Sequence, residues 1–263
     1  MQLIDTHCHL DFPVFDPDRT ALLAECRQLG VGEYIIPAVG EENWARVMAL
    51  SEQHAGIAYG LGIHPWYVGA QTPGVLTRLQ GLLAARPRGL VAVGECGLDL
   101  RSHVPQEGQV EMFEAQVRLA MAHALPLIVH SVRANDTVAK ILRRFTPPQG
   151  GVIHAFSGSL HQAEVFWQLG FRLGIGGVIS YERANKTREA IRAMPLEALL
   201  LETDAPDMPL QGRQGEINTP ASLPTIALLL AQLRQQPLAD VISVLHESTL
   251  RLFPRATMNL TAD

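Results

Sequence analysis

The sequence predicts an α/β fold in which eight parallel strands, each followed by a helix, close into a (β/α)8 TIM barrel. Short apolar segments alternate with amphipathic segments at roughly thirty-residue spacing, over a chain of 263 residues. The short segments are apolar on both faces, as strands buried in a parallel sheet are. A doubly wound open sheet is the alternative, but no glycine-rich dinucleotide fingerprint follows any strand.

Turn and capping residues set the bounds of these elements. Asp16-Pro17 begins the first helix, Gly30 ends it, and Pro65 ends the third strand. The predicted strands span residues 3–9, 34–39, 57–64, 90–95, 127–130, 151–154, 171–176 and 198–202. The predicted helices span residues 16–29, 41–54, 76–86, 106–123, 138–145, 160–169, 187–193, 223–234 and 238–252.

Composition and charge limit the class of protein. The net charge of -5 excludes bulk attraction to nucleic acid, although it leaves room for a local basic patch. The three cysteines have no paired spacing, which indicates free thiols in a reducing compartment. The strand pattern starts at Leu3, so we expect no signal peptide, and no apolar run is long enough for a membrane span. We therefore expect one domain over residues 1–263, in a cytoplasmic monomer without an obligate protein partner.

His7 and His9 in the first predicted strand are the first candidate metal ligands. Residues two apart on a strand point to the same face, whereas Cys8 between them points to the other face. Neutral imidazoles are good ligands for divalent metals. The alternative is a strand end whose histidines are exposed or hydrogen-bonded to backbone carbonyls.

Further polar residues stand at the carboxyl ends of later strands, where the catalytic groups of a barrel converge. They are His64, Glu95, His130, His154 and Asp204. Taken singly, each has an ordinary interpretation: a partly buried histidine, a solvated loop carboxylate or a turn residue. Six ligand-type residues at successive strand ends, with His64 beside them, predict a binuclear metal site.

Basic residues follow the same strands and favour an anionic substrate, because arginine forks match phosphate. They are Arg101, Arg133, Arg183 and Arg213, with Lys186 and Arg188 in the seventh loop. The alternative for each is an ordinary solvated side chain.

Six motifs spread over the whole chain resemble the TatD family of metal-dependent deoxyribonucleases, within the amidohydrolase-like barrels. They are residues 5–11 (DTHCHLD), 62–65 (GIHP), 94–99 (GECGLD), 128–131 (IVHS), 154–158 (HAFSG) and 202–206 (ETDAP). Residues 179–188 and 204–210 resemble the YjjV-like branch of that family.

The resemblance implies a division of the ligands between two divalent ions. His7, His9 and Asp204 would hold one ion, His130 and His154 the other, and Glu95 would bridge them. It also implies that His64 lies near the substrate phosphate. Three positions depart from the family pattern, namely Trp66, Cys96 and Thr219, and of these Trp66 and Thr219 lie on predicted mouth loops and bear on substrate choice.

Imidazole and carboxylate ligands without a thiolate suit zinc, manganese or magnesium. Such ions would lower the pKa of a water molecule and align it for attack on phosphorus, with Asp204 taking its proton. Glu202, on the same strand face as Asp204, is either an outer partner of the ligands or a carboxylate inside the barrel. Lys140 and Lys186 are not at strand ends, so Glu95 must bridge rather than a carbamylated lysine.

The predicted function is hydrolysis of phosphodiester bonds in DNA. The family resemblance implies both this substrate and that cleavage proceeds from the 3′ end. One alternative is a hydrolase of a small phosphoester or of a carboxylic ester or amide, since the same ions would polarise a carbonyl. Another is a metal-stabilised barrel that binds nucleic acid without cleaving it. A closed structural site would leave no room for water, which speaks against this last alternative.

Overall fold

The computed structural model describes residues 2–254, and eight strands within that range form one parallel sheet in the order β1 to β8. Each strand pairs with the next strand in the sequence. The strands are β1 (Leu3–Asp5), β2 (Val31–Pro37), β3 (Ile57–Leu61), β4 (Leu90–Asp99), β5 (Leu127–Val132), β6 (Gly151–Ile153), β7 (Phe171–Ile175) and β8 (Leu199–Leu201).

A helix follows each strand, and two helices follow the last one. Within the described residues they are α1 (Arg19–Gln28), α2 (Glu41–Gln53), α3 (Val75–Ala85), α4 (Gln106–His123), α5 (Asn135–Phe145), α6 (Leu160–Gln168), α7 (Asn185–Ala193), α8 (Leu223–Arg234) and α9 (Leu238–Leu252). No helix in residues 2–254 is both long and apolar enough to cross a membrane.

Backbone hydrogen bonds between the first and last strands close the sheet. The Thr6 amide donates to the Leu201 carbonyl at 3.0 Å, and the Asp204 amide donates to the His7 carbonyl at 2.9 Å. The predicted (β/α)8 barrel is therefore confirmed, and the open sheet is wrong. That residues 1–263 form a single domain stays a prediction, and residues 1 and 255–263 lie outside the described residues.

The predicted strand ends differ from the structure. β1 ends at Asp5, β3 at Leu61, β6 at Ile153 and β8 at Leu201, whereas β4 and β5 extend to Asp99 and Val132. The candidate residues that therefore lie in loops rather than at strand ends are His7, His9, His64, His154 and Asp204. One Asp5 carboxylate oxygen accepts hydrogen bonds from the amides of His7 and Thr203, at 3.3 and 3.0 Å. The Asp5 carboxylate thus accepts the hydrogen bonds that a neighbouring strand would accept from these two amides. It links the loop after β1 to the loop after β8.

The apolar side chains form two layers. The larger cluster lies between the strands and the surrounding helices and includes Phe113 and Phe166. A smaller cluster brings together strand residues such as Ile35 and Ile128 with Phe253, which follows α9. Packed side chains thus fill the interior of the barrel, so a site for polar chemistry is left only at its carboxyl end.

Candidate metal centre

Glu95 on β4 lies at the centre of the predicted site, and each of its carboxylate oxygens faces a different pair of histidines. Oε2 is 3.3 Å from His7 Nε2 and 3.6 Å from His9 Nε2. Oε1 is 2.8 Å from His130 Nδ1 and 2.8 Å from His154 Nε2. The side chain is only 2% exposed. One buried carboxylate therefore joins two groups of imidazole nitrogens.

The first group contains His7, His9 and Asp204. The two Nε2 atoms are 3.3 Å apart, and Asp204 Oδ1 lies 3.4 Å from that of His7 and 3.7 Å from that of His9. Asp204 has a φ of 58°, a left-handed conformation that aspartate tolerates better than most residues. The loops after β1 and β8 thus bring three ligand-type atoms to Glu95 Oε2, as predicted for one ion.

The second group contains His130 and His154, with carboxylates behind their rings. His130 Nδ1 and His154 Nε2 are 2.9 Å apart, and both face Glu95. The other nitrogen of His130, Nε2, is 3.2 Å from Asp99 Oδ2, and His154 Nδ1 is 3.9 Å from Glu202 Oε1. A carboxylate at hydrogen-bond distance, as Asp99 is from His130, orients the imidazole and raises its basicity as a ligand, whereas Glu202 lies too far from His154 for a hydrogen bond.

The donor atoms of both groups fit divalent cations. Ring nitrogens that approach each other this closely repel when both present lone pairs, unless a proton or a cation lies between them. Residues 2–254 contain three triads whose ligand atoms lie close enough for one metal, all of them in this site. They are His7-His9-Glu95, His64-Glu95-His130 and His7-His154-Glu202. Each member of the predicted ligand set except Asp204 appears in a triad, and Asp204 contacts the first one.

His64 is placed to donate a hydrogen bond rather than to ligate. Its Nδ1 accepts from the Trp66 amide at 3.1 Å, so the ring hydrogen of the neutral form is on Nε2. That Nε2 is 3.5 Å from Glu95 Oε1. Burial lowers the pKa of His64 to about 3, which keeps the ring neutral. The structure therefore places an N–H group of this side chain beside the candidate metal centre.

Charges in the site shift the pKa of several groups in opposite directions. Burial raises the pKa of Glu95, but the facing histidines, above all His154 and His64, outweigh burial and hold it well below its usual value. Burial lowers the pKa of His7. Although burial also opposes a charge on His154, the Glu95 carboxylate raises its pKa to about 10. In the metal-free protein the proton on His154 thus partly neutralises the negative charge of Glu95, as a bound cation would.

Glu202 is completely buried beneath His154. Its Oε1 accepts a hydrogen bond from the Ala155 amide, whereas Oε2 has no partner among the described residues. Burial raises the pKa of Glu202 to about 8. Gly174 on β7 leaves space for this carboxylate, because a Cβ atom there would lie 2.1 Å from Glu202 Oε2. The sequence left two alternatives for Glu202, a carboxylate inside the barrel or an outer partner of a ligand. In the structure Glu202 is inside the barrel and also next to His154, so the two alternatives describe one position.

A cavity of about 760 Å³ opens beside His130, His154 and Asp204 and extends over the loops after β5, β6 and β7. Three basic side chains line it, and within residues 2–254 none of them forms an ion pair. They are Arg133, Arg183 and Lys186. Ser131, Asn135, Ser157 and Thr187 add hydroxyl and amide groups. Two carboxylates, Asp136 and Asp204, also line the cavity, so its wall carries three basic side chains without ion pairs and two acidic ones next to the candidate metal centre.

The other predicted basic residues lie away from this wall. Arg213 is exposed, and its Nε donates to Glu216 at 2.7 Å. Arg188 donates to the Ile179 carbonyl. Among the described residues that line the cavity, neither these two nor Arg101 appears. Their positions do not support the prediction that Arg213 binds substrate.

Asp99 is the residue of the site that sequence reasoning missed. It ends β4, is 3% exposed, and its Oδ2 contacts both His130 Nε2 and the indole N–H of Trp66, the latter at 2.7 Å. Asp99 is four residues after Glu95 on the same strand, so the period of two places both carboxylates on one face. This spacing was the signal that could have revealed it.

Of the three departures from the family pattern, two are near the mouth of the barrel. Trp66 contacts Asp99, and Thr219 follows Asn218, whose side-chain amide donates to the Thr203 carbonyl at 2.9 Å. Cys96 is buried in the layer between strands and helices, and its Sγ lies 3.5 Å from the Ile128 carbonyl. Cys96 therefore faces away from the centre.

Comparison with known proteins agrees with this geometry. The sequence model of the family described as "TatD related DNase" matches residues 4–254. The chain belongs to this family. It is 47% identical over 253 residues to YjjV of Escherichia coli K12, which is named an uncharacterized metal-dependent hydrolase. The matched region covers 96% of this chain and 98% of YjjV. The predicted YjjV-like membership is therefore confirmed.

Two further similarities concern the fold and the activity of a relative. The crystal structure of Escherichia coli K12 YjjV, a TatD homolog, superposes with a TM-score of 0.93 at 46% identity, covering 96% of this chain and 98% of that one. A protein of Pantoea named "3'-5' ssDNA/RNA exonuclease TatD" is 33% identical over 208 residues, 78% of this chain and 79% of its own length. The chain is a metal-dependent hydrolase of the TatD family.

Proposed function

We propose that this chain hydrolyses phosphodiester bonds of single-stranded DNA from the 3′ end, with two divalent ions bound by the Glu95 site. The observation that supports this proposal most is that each oxygen of one buried carboxylate faces its own group of imidazoles. The centre also opens into a cavity lined by unpaired basic side chains. The name of the Pantoea relative supplies the polymer and the direction.

In this proposal the ligands divide as the resemblance implied. His7, His9 and Asp204 hold one ion, His130 and His154 hold the other, and Glu95 lies between the two groups. Imidazole and carboxylate donors suit zinc, manganese or magnesium. When bound, such ions supply a water nucleophile at neutral pH and offset the negative charge that develops on a phosphoryl group.

Asp204 is the proposed proton acceptor. It is the one carboxylate of the centre that is partly open, with a side chain 16% exposed, and it also lines the cavity. Burial raises its pKa above the usual value of an aspartate. Its position between the candidate ligands His7 and His9 and the open cavity is what places its carboxylate within reach of a water molecule at the centre.

His64 and the basic cavity wall are the proposed substrate contacts. The Nε2–H of His64 points to the centre and donates to a phosphate oxygen, because its Nδ1 is already an acceptor. Arg133, Arg183 and Lys186 would pair with neighbouring phosphates along a strand. That the chain acts as a monomer without an obligate protein partner stays a prediction.

The alternative that keeps the same centre is a hydrolase of a small phosphoester or of a carboxylic ester or amide. A neutral ester would gain nothing from the unpaired basic side chains, and a small phosphoester would use few of them. The barrel that binds nucleic acid without cleavage does not agree with membership in a family of hydrolases.

A salt series tests the substrate class. Binding of single-stranded DNA should weaken with salt by a slope of roughly -0.7 per neutralised phosphate, whereas a substrate with one phosphate should show a shallow dependence. KM should be measured for an oligodeoxynucleotide, an oligoribonucleotide and a one-phosphate ester, with reconstituted enzyme. Arg183→Ala should reduce the slope for the oligonucleotide by about 0.7 and raise KM more than it lowers kcat.

The matched control is Arg213→Ala, because Arg213 is already paired with Glu216 and lies outside the cavity wall. It should leave the slope unchanged. If the oligonucleotide shows no steeper slope than the ester, and Arg183→Ala does not change it, DNA is not the substrate. Hydrolysis of the ester alone would then establish the alternative.

A further inference from the structure

Trp66 is an exposed tryptophan at the mouth of the barrel, in the loop after β3. Its side chain is 51% exposed, whereas Trp44 is only 4% exposed. A large aromatic ring that is exposed beside a functional site offers a ligand a flat apolar face, and covering that face is favourable. Neither the ligand set nor the basic cavity uses this ring.

Two contacts hold the ring in one position. The indole N–H donates to Asp99 Oδ2 at 2.7 Å, and the ring centroid is 6.4 Å from that of His64, at an interplanar angle of 61°. The Trp66 amide donates to His64 Nδ1 at 3.1 Å. The ring is thus fixed at its polar edge, which reduces the entropy lost when a ligand binds to it.

The position of Trp66 relative to the basic cavity suggests what covers it. The cavity is lined by the segments after β5 to β8, with Arg183 in the loop after β7 and Lys186 in the first turn of α7. In a closed barrel of eight strands, β3 and β7 are on opposite sides. A phosphate held at the metal centre therefore has unpaired cations on one side and an exposed aromatic ring on the other.

We propose that Trp66 stacks on the nucleobase of the nucleotide whose phosphate is held at the metal centre. Every base presents a flat π face, and stacking of bases on aromatic side chains is the usual way of holding single strands without reading their sequence. Trp66 is also a positioning residue, because the Asp99 oxygen that accepts its N–H contacts His130 Nε2 as well. This proposal rests on the proposed function and specifies the substrate class further, as a phosphoester that carries an aromatic base.

Paired substrates test the stacking. One is a single-stranded oligodeoxynucleotide, and the other is an oligomer of equal length whose sugars are abasic, so that both carry the same phosphates. Trp66→Ala should raise KM for the first by about tenfold, the effect expected from removing one stacking ring. It should leave KM for the abasic oligomer nearly unchanged. An equal rise for both oligomers would overturn the proposal, since it would point to a general role in folding or in phosphate binding.

Trp66→Phe separates the two roles of the side chain. Phenylalanine keeps an aromatic face but has no N–H for Asp99. This variant should recover most of the KM that Trp66→Ala loses and should lower kcat on both oligomers alike, because its defect acts through His130. A kcat equal to wild type would overturn the positioning role, and a KM as poor as that of Trp66→Ala would overturn the stacking role.

Tryptophan fluorescence gives a readout that does not depend on turnover. A phosphorothioate oligodeoxynucleotide should quench the emission of the reconstituted protein, and the abasic phosphorothioate oligomer should not. Trp66→Phe should abolish the quenching, whereas the control Trp167→Phe, on α6 outside the barrel, should retain it. Quenching that persists in Trp66→Phe would overturn the proposal. If Trp66 is quenched by the base-bearing oligomer but neither oligomer is hydrolysed, the proposed function fails and the stacking stands.

Discussion

The two sides of Glu95 carry similar ligands but differ in what lies behind them. On the Oε1 side, Asp99 is 3.2 Å from His130 and Glu202 is 3.9 Å from His154. On the Oε2 side, the Nδ1 atoms of His7 and His9 have no hydrogen-bond partner among the described residues, and neither does His154 Nδ1 on the Oε1 side, so only His130 has a carboxylate at hydrogen-bond distance behind it. The rings of His7 and His9 are held by packing.

Ring contacts show how that packing works. The His7 ring stacks on the His154 ring with centroids 3.9 Å apart, and the His9 ring stacks on Phe12 at 4.7 Å. Carboxylates behind imidazoles strengthen and orient the ligands, whereas packing only orients them. From this comparison we expect that the metal affinity of the Oε1 side depends partly on Asp99, behind His130, and that of the Oε2 side only on the candidate ligands themselves.

Removing the shared carboxylate charge should have the largest effect. Glu95→Gln keeps the shape of the side chain but leaves two cations close together without the charge between them. Activity should fall by at least about 100-fold, and metal content should fall on both sides. The metal-free variant should melt close to the wild-type temperature. Wild-type activity in this variant, or a carbamate on Lys140 or Lys186, would exclude Glu95 as the bridge.

Removing one ligand should affect one side only. His130→Ala should reduce the metal content of the reconstituted protein from about two ions to about one, and activity should fall with it. Elemental analysis of dialysed protein measures this directly. His161→Ala, on an exposed position of α6, is the control and should keep both ions. A fully loaded His130→Ala protein with unchanged turnover would refute the division of the ligands.

Asp99→Asn should sharpen the comparison, because it removes the charge behind His130 and leaves every candidate ligand in place; the same oxygen also holds the Trp66 indole, so metal affinity rather than activity is measured. We expect metal affinity to fall by about 10- to 100-fold for one ion and to stay unchanged for the other. Competition with a chelator measures the two affinities separately. The exposed Asp240→Asn on α9 serves as the control. Equal weakening of both ions would show that the sides are not independent.

Glu202→Gln should have the smallest effect, visible in the metal-free protein as a change in pH dependence. The pKa of Glu202 is raised from 4.5 to about 8. Its contribution to stability is therefore complete below pH 4.5 and is lost as the pH rises through about 8. Between these values the melting temperature of Glu202→Gln should fall less than that of wild type.

The control for this comparison is Glu164→Gln, in which an exposed glutamate of α6 is replaced. Its melting temperature should follow that of wild type across the same pH range. Parallel curves for wild type and Glu202→Gln would mean that Glu202 is charged in both the folded and the unfolded state.

The sequence by itself determined the barrel and the identity of the candidate ligands. Alternating apolar and amphipathic segments leave few ways of burying eight parallel strands, and polar residues at their carboxyl ends must meet at one mouth. His7, His9, Glu95, His130 and His154 were therefore recognisable without coordinates. The motifs also indicated the family, since each one combines a ligand with its turn residues.

The tertiary structure decided which side chains stand behind the ligands and which basic residues face the cavity. Asp99 and Trp66 are 33 residues apart in the sequence and meet only because β3 and β4 are neighbours. Arg183 and Arg213 both follow strands, yet one lines the cavity and the other pairs with Glu216. Strand periodicity fixes the direction of a side chain inside the sheet, whereas a side chain in a long loop takes its direction from whatever the loop packs against.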